Sequence, residues 1–353
     1  MFYQNNFYRD DLRSVLECIE PVIDLKGCAV LVTGASGLIG SFLVDFLMYC
    51  NEVLSCEINV YAMSRNSSYL SKRFTSHLSN NLFHILQHDV TVPLNGEIHF
   101  DYIIHAASNA YPKLFSTDPV GTITSNIFGV YNLLEYIRHK GGRRFLFISS
   151  GEVYGQRSFS EKGIDESSYG YVDINDSRSC YPNAKRLAET LCVSYAKQFG
   201  IDTVIARPCH TYGPTATPSD NRVSAQFINT ALAGNDIVLK SHGKQLRSYC
   251  YVSDCVSGIL TVLLKGVSAH AYNIANAESI VSIREMAEII AELCGVEVCF
   301  ELPTDVEKAI FNPMENAVLN ADKLQKLGWI GNYGIREGIK RTIRIVKDLQ
   351  NVF

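Results

Sequence analysis

Tyr181 and Lys185 stand four residues apart in the run Tyr181-Pro-Asn-Ala-Lys185. On a helix, positions i and i+4 share a face. A lysine ammonium on that face lowers the pKa of a phenol, which makes Tyr181 a usable acid and base near neutral pH. About thirty residues earlier, Ile148-Ser-Ser-Gly-Glu-Val-Tyr-Gly155 follows an apolar run. That places Ser150 at a strand end, where its hydroxyl shares the proton of a substrate hydroxyl. Glu152 adds a carboxylate there; the plainer role for it is a buried carboxylate bonded to backbone amides. A Tyr/Lys pair with this spacing is common, so its weight depends on its company.

That company is a glycine loop. Val32-Thr-Gly-Ala-Ser-Gly-Leu-Ile-Gly40 has glycines at 34, 37 and 40, between a β-branched apolar run and a helical pattern. Strand, turn and helix form the context in which such a loop holds a dinucleotide. Gly34 permits the tight turn, Gly37 lets the backbone approach a pyrophosphate, and Gly40 lets the helix pack closely on the strand. The helix N-terminus then meets the phosphate charge. Gly34, Ser36, Gly37, Leu38, Ile39 and Gly40 are the candidate cofactor contacts, against the alternative of a glycine-rich turn with no ligand. After the second strand, Ser64-Arg65-Asn66 offers an Arg and no carboxylate. An acidic residue there holds a ribose 2′-hydroxyl and an Arg accommodates a 2′-phosphate, so Arg65 favours NADP over NAD. The alternative is that Arg65 stacks on the adenine or faces solvent. Asp89 and Val90 close the third strand region, where Asp89 is placed to accept from the adenine amino group.

Elements must hold these groups in place. Short apolar runs at 28–32, 58–63, Tyr102–His105, 145–149 and 203–206 read as strands. Helical patterns separate most of them, most clearly at 123–139 and 182–199. Alternating strands and helices predict an α/β, Rossmann-type doubly wound parallel sheet, because parallel strands need long crossovers. Leu12, Val15, Leu16 and Ile19 predict an amphipathic helix over 8–20. Past Pro208 the rhythm loosens at Gly213, Pro214 and Pro218. Helices at 222–233, 283–293 and 336–348, with strands at 237–240 and 271–274, predict a smaller C-terminal α/β domain over the carboxyl edge of the sheet. The expected division is a helical extension (1–26), a dinucleotide-binding domain (27–208) and a substrate domain (209–353), with interleaved boundaries.

Composition narrows the partners. The 353 residues carry 32 Lys and Arg against 36 Asp and Glu, a net charge of −4. That excludes a general basic footprint for nucleic acid or an anionic membrane. With 47% hydrophobic and 19% charged residues, a large core is available and a disordered chain is excluded. The 11 cysteines are scattered without zinc-ligand spacing, so no metal is expected, and reduced thiols in a cytoplasm are. The first residues lack a basic segment followed by an apolar one, so no signal peptide is expected. Residues 29–50 are apolar and long enough to span a bilayer, yet their glycines, serines and Asp45 suit a turn between two short elements.

Together these motifs resemble the extended short-chain dehydrogenase/reductases, the NAD(P)-dependent sugar epimerase/dehydratase family, from about residue 26 to the C-terminus. TGASGLIG (33–40) resembles its glycine loop, and HAAS (105–108) the segment beside the nicotinamide ribose. SSGEVYG (149–155) and YPNAK (181–185) resemble its active site. The resemblance implies a tightly bound NAD or NADP, with His105, Ala106 and Ala107 beside it. It implies Ser150, Tyr181 and Lys185 as the catalytic residues. Tyr181 would take the proton of a sugar hydroxyl as hydride leaves the same carbon, and Lys185 would also hold the nicotinamide ribose. QHDVTVPL (87–94), DNRVSAQFI (220–228) and GKQLRSYCYVSD (243–254) are similar to the UDP-glucuronate decarboxylase branch. There Arg247 and Glu152 would flank the sugar and Arg222 would face the diphosphate.

The departures are Ser150 where Thr is usual, Ser64-Arg65 where an acidic residue is, and His210 where an Asn is. His210 is either a loop histidine or a substrate contact. Gly151-Glu152 replaces the Asp-Glu pair of the 4,6-dehydratases, which argues against dehydration. The implied function is modification of a nucleotide-diphosphate sugar through a transient 4-keto sugar, by decarboxylation, 4-epimerisation or 4-reduction. The alternative of another class is a non-enzymatic dinucleotide-binding sensor, against which the joint presence of Ser150, Tyr181 and Lys185 argues. Helices 123–139 and 182–199 resemble those of a four-helix dimer interface, which implies a homodimer.

Overall fold

The computed structural model describes residues 2–19, 22–157, 163–217, 219–301, 303 and 316–350. Pro218, expected to break the chain, and Glu20, expected to end a helix, lie outside these residues.

A seven-stranded parallel sheet organises the molecule. Its strands are β1 (Ala29–Thr33), β2 (Asn59–Ser64), β3 (Phe83–Gln87), β4 (Tyr102–His105), β5 (Arg144–Ile148), β6 (Thr203–Pro208) and β10 (His270–Ile274), in the order β10-β6-β5-β4-β1-β2-β3. Alternation along each strand feeds two apolar layers. Leu31, Ile103, Phe145, Phe147 and Ile205 meet Val130, Leu133, Leu134 and Ile137 of α5 (Pro119–Lys140) and Ala188 and Cys192 of α6 (Cys180–Phe199). On the other side Val30, Val32, Ile104, Leu146, Ile148 and Val204 meet α2 (Leu38–Leu54) and α8 (Val252–Lys265). With both faces covered, the strands are nearly continuous apolar runs, which is why they are visible in the sequence.

Several elements differ from expectation, three of them on the main sheet. Helix α5 starts four residues early, because Asp118 accepts from the Gly121 amide at 3.0 Å and Pro119 fits the first turn. Helix α8 was not foreseen: it is buried from Val252 to Leu263, so its polar positions Ser253, Asp254, Ser257 and Thr261 mark no solvent face. Strand β10, expected in the smaller domain, pairs with β6 at the edge of the main sheet. A smaller sheet centres on β9 (Leu246–Tyr251), which pairs with β7 (His210–Tyr212), β11 (Ile280–Ser282) and β13 (Asn316–Ala317).

The N-terminal helix α1 (Asn6–Cys18) joins the two parts. Tyr8 donates to the buried Asp45 of α2 at 2.7 Å, which also receives Arg73 at 2.5 Å and His77 at 2.9 Å. Asp11 accepts from Tyr251 of β9 at 2.5 Å and from Arg341 of the C-terminal helix (Ile335–Gln350) at 2.6 Å. Among the described residues no helix is long and apolar enough to cross a membrane.

Candidate active site

The β1–β4 pairing brings the glycine loop against the end of β4. Gly34 has φ +65°, and a Cβ there would lie 2.7 Å from the backbone of Ala106 and Ala107. At Gly40 a Cβ would lie 2.3 Å from the Gly34 carbonyl oxygen. Gly37 differs: a Cβ there would meet only that same oxygen, at an ordinary 3.4 Å. The fold therefore demands glycine at 34 and 40 but leaves room beside 37. Gly37 is also the N-cap of α2, and no side chain caps the helix. Its first-turn amides are left for an anion. These residues fit the pyrophosphate of a dinucleotide.

Leu38 is buried and Ile39 half-buried in the first turn of α2. The Leu38 carbonyl accepts from Thr215 at 2.8 Å, so the later part of the chain leans on the loop. Ser36 and Ser64 hydroxyls lie 3.3 Å apart. Arg65 is exposed. Asp89 accepts from the Thr91 amide and hydroxyl at 2.9 and 2.8 Å. Burial works against its charge, but these bonds and Arg65 hold its pKa below the usual carboxylate range. Val90 is buried, with its carbonyl taken by Asn132 at 2.9 Å. His105 is buried, with Nδ1 2.7 Å from Thr33 Oγ1, which also accepts from the Ala107 amide at 3.2 Å. Burial and the Lys185 charge hold its pKa down to about 3, so the ring is neutral.

Next to this loop lies the Tyr/Lys pair. Tyr181 sits in the first turn of α6, its ring stacked on Phe115 at 4.6 Å and 16°. Burial and the Glu152 charge push its phenol above its ordinary pKa; a hydrogen bond with Ser150 and the Arg222 charge pull it back. Lys185 is buried, donates to the Ile148 carbonyl at 2.7 Å and lies 4.5 Å from the centre of the Phe147 ring. Burial pushes its pKa down to about 7, opposed by Glu189. The spacing assigned the lowering of the phenol to Lys185. In the structure Ser150 and Arg222 take that part, because the Lys185 ammonium is held by Ile148, 5.7 Å from the Tyr181 ring centre.

The sugar-side candidates converge on the same place. Ser150 accepts from the Glu152 amide at 3.2 Å and caps the short turn Gly151–Tyr154. Glu152 pairs with Arg178 at 3.5 Å rather than with backbone amides. Arg222 binds both oxygens of Asp220, at 3.0 and 3.1 Å. Arg247, buried on β9, donates to the Leu246 carbonyl at 2.9 Å and interacts with Glu152. His210, at the start of β7, is pushed down to about 3 by burial and by Arg247, against a backbone bond to Ser248. It is therefore a neutral ring among cations. Three arginines against two carboxylates, with the Tyr/Ser pair, form a site suited to an anionic substrate that bears a reacting hydroxyl. Arg65 follows β2 and Asp89 follows β3, apart from this cluster.

The sequence profile of the NAD dependent epimerase/dehydratase family matches residues 30–275. The chain belongs to this family. UDP-glucuronic acid decarboxylase 6 of Arabidopsis thaliana is 36% identical over 312 residues, 88% of this chain and 86% of the relative. UDP-glucuronic acid decarboxylase 1 of Xenopus tropicalis is 32% identical over 317 residues, 89% of this chain and 71% of the relative. The dTDP-glucose 4,6-dehydratase DesIV of Streptomyces venezuelae, solved with NAD and TYD bound, superposes with a TM-score of 0.79. The match covers 92% of this chain and 98% of DesIV at 22% identity, a likeness of fold.

Some residues of this epimerase/dehydratase site were not found from the sequence. Arg178, one turn before Tyr181, reaches Glu152 and lies 5.7 Å from the Phe115 ring centre. Its place on the entry to α6 was the available signal. Phe115 and Glu189 have none, since their roles come from contacts across the fold. Of the loop tyrosines, Tyr111 bonds Thr217 at 3.2 Å, whereas Tyr169 and Tyr171 are exposed.

Proposed function

We propose that this enzyme decarboxylates UDP-glucuronate through a transient 4-keto sugar. The observation that carries the reading is the convergence of Tyr181, Ser150 and Glu152 with Arg222 and Arg247 beside the glycine loop. The names of the relatives point the same way. NAD(P), tightly held along that loop, would supply hydride acceptance and return at the sugar C4. Tyr181 takes the proton of the C4 hydroxyl, shared with Ser150, and later gives it back. The 4-ketone lies β to the C6 carboxylate, so the C5–C6 bond breaks with loss of CO₂, and its electron pair enters an enolate that is protonated at C5. Lys185 holds the nicotinamide ribose, Arg222 the diphosphate, and Arg247 and Glu152 flank the sugar, with His210 as a neutral contact.

The domain division 27–208 and 209–353 suits this scheme, with strand β10 as the interleaved piece. Exposed Phe128 and Tyr131 on α5 and Leu187 and Val193 on α6 support a homodimer across these helices. Incubation of the pure protein with UDP-glucuronate, without added reductant, is expected to yield CO₂ and a UDP-pentose; the absence of both products would sink the reading. A second reading, 4-keto reduction at the expense of NADPH, is favoured by Arg65, which has no carboxylate beside it on its strand end. Arg65→Asp is expected to shift preference from NADP to NAD, and an unchanged preference would remove that argument.

A further inference from the structure

Glu189 lies one turn beyond Lys185 on α6 and is buried. Its carboxylate accepts from the Ser149 hydroxyl at 2.5 Å, and from Arg207 Nε and Nη2 at 2.9 and 2.5 Å. Arg207 on β6 also donates to the Tyr154 hydroxyl at 2.8 Å, and Tyr154 donates to Asn273 of β10 at 2.6 Å. The ends of β5, β6 and β10 are thus joined through one carboxylate. Ser149 stands between Ile148, whose carbonyl holds Lys185, and Ser150, which meets Tyr181. Buried ion pairs add little net stability over apolar replacements. The place of this one, next to both halves of the acid/base pair, calls for another role.

We propose that Glu189 is a positioning residue for the acid/base pair: through Ser149 it fixes the carbonyl that holds Lys185, and it is the buried carboxylate one turn beyond that lysine on the same helix. Glu189 and Cys192 act on the ammonium from its own helix. Tyr181 shares that helix, the neutral ring of His105 faces it from β4, and Phe147 of β5 lies against it. Burial drives the proton off Lys185, and Glu189 is the acid that opposes this. Without Glu189 the ammonium loses its proton at lower pH. An activity that needs the charged lysine then falls at lower pH too.

The direct test is an NMR titration of the full-length protein labelled with ¹³C at the lysine ε-carbon, with the Lys185 signal assigned by Lys185→Met. Glu189→Gln is expected to move the Lys185 midpoint to lower pH. Glu189→Gln/Arg207→Gln, which removes both members of the Glu189–Arg207 pair and so strands no guanidinium, is expected to fold as the parent does and to move the midpoint the same way by less. The alkaline limb of UDP-glucuronate decarboxylation should move with the midpoint, about tenfold in rate on that limb for each unit. An unmoved midpoint in either folded variant overturns the proposal. Only the activity arm rests on the proposed function. The titration reads Lys185 whatever the substrate, so the two failures are distinguishable.

Discussion

Tyr181→Phe separates chemistry from packing at this site. The Tyr181 ring is buried and stacked on Phe115 at 4.6 Å, and phenylalanine keeps both the ring and the stack. What disappears is one hydroxyl and its hydrogen bond with Ser150, worth about 0.5–1.5 kcal/mol. For a chain of this size that corresponds to a Tm change of a few degrees at most, at about 2–4 °C per kcal/mol. The catalytic loss is of another order. A positioned acid/base contributes about 10²–10⁴-fold, or roughly 2.7–5.5 kcal/mol of barrier. Arg222 and Arg247 stay in place, so the loss should fall on kcat and leave KM nearly unchanged. The assay is mass spectrometry of UDP-pentose formed from UDP-glucuronate, with thermal unfolding and NAD titration run in parallel. Tyr181→Ala is the packing control: it removes the stacked ring and should cost about 3–5 kcal/mol of stability. A Tyr181→Phe protein with a third or more of the parent kcat would refute the assignment and revive a dinucleotide-binding sensor.

Further outcomes follow from the loop and the buried charges. Gly37→Ala should leave Tm unchanged and weaken NAD binding, because the protein itself tolerates a Cβ there at 3.4 Å; unchanged NAD affinity by fluorescence titration would mean the loop is no pyrophosphate cradle. Gly40→Ala should lower stability as well, by about 1–3 kcal/mol in urea unfolding, since its Cβ would meet the Gly34 oxygen at 2.3 Å. Asp45→Ala strands Arg73 without its carboxylate and should cost about 3–5 kcal/mol. Burial alone would raise the Asp45 pKa, but Arg73, His77 and Tyr8 hold it below the ordinary value. The stabilisation is therefore full above the unfolded value near ~3.9 and is lost as pH falls through the folded one. The stability gap between parent and Asp45→Ala should narrow below about pH 4, and a gap constant with pH would contradict the charge argument.

Much of this was legible in the chain because both faces of the sheet are covered. Val30, Val32 and Ile104 pack on one side, Leu31 and Ile103 on the other, and the result is a run of apolar letters that local pattern detects. The glycine loop was legible for a local reason: three glycines at three-residue spacing lie between a strand and a helix, and Gly40 answers to the Gly34 backbone six residues before it. Helix α8 escaped because it is buried on every side, and its polar residues, Asp254, Ser257 and Thr261 among them, bond within the protein instead of facing water. The partner of β10 escaped because strand order is decided by the whole topology, not by the five residues themselves. In the site, residue types were visible and pairings were not. Glu152 was seen without Arg178, and Lys185 was credited to Tyr181 when the Ile148 carbonyl holds it. Those partners lie 26 and 37 positions away, a distance at which spacing carries no information.

Asp11 precedes Tyr251 by 240 positions and Arg341 by 330. At about 5–20 residues per second, roughly 15–65 s of synthesis separate Asp11 from its arginine. Over that interval α1 has Asp45 and Arg73 to hold but nothing to neutralise Asp11. A nascent chain that stops before Tyr251 therefore carries a first helix attached along one side only. Asp11 and its helix thus reach their full set of contacts only after Arg341, far along the chain, has been made.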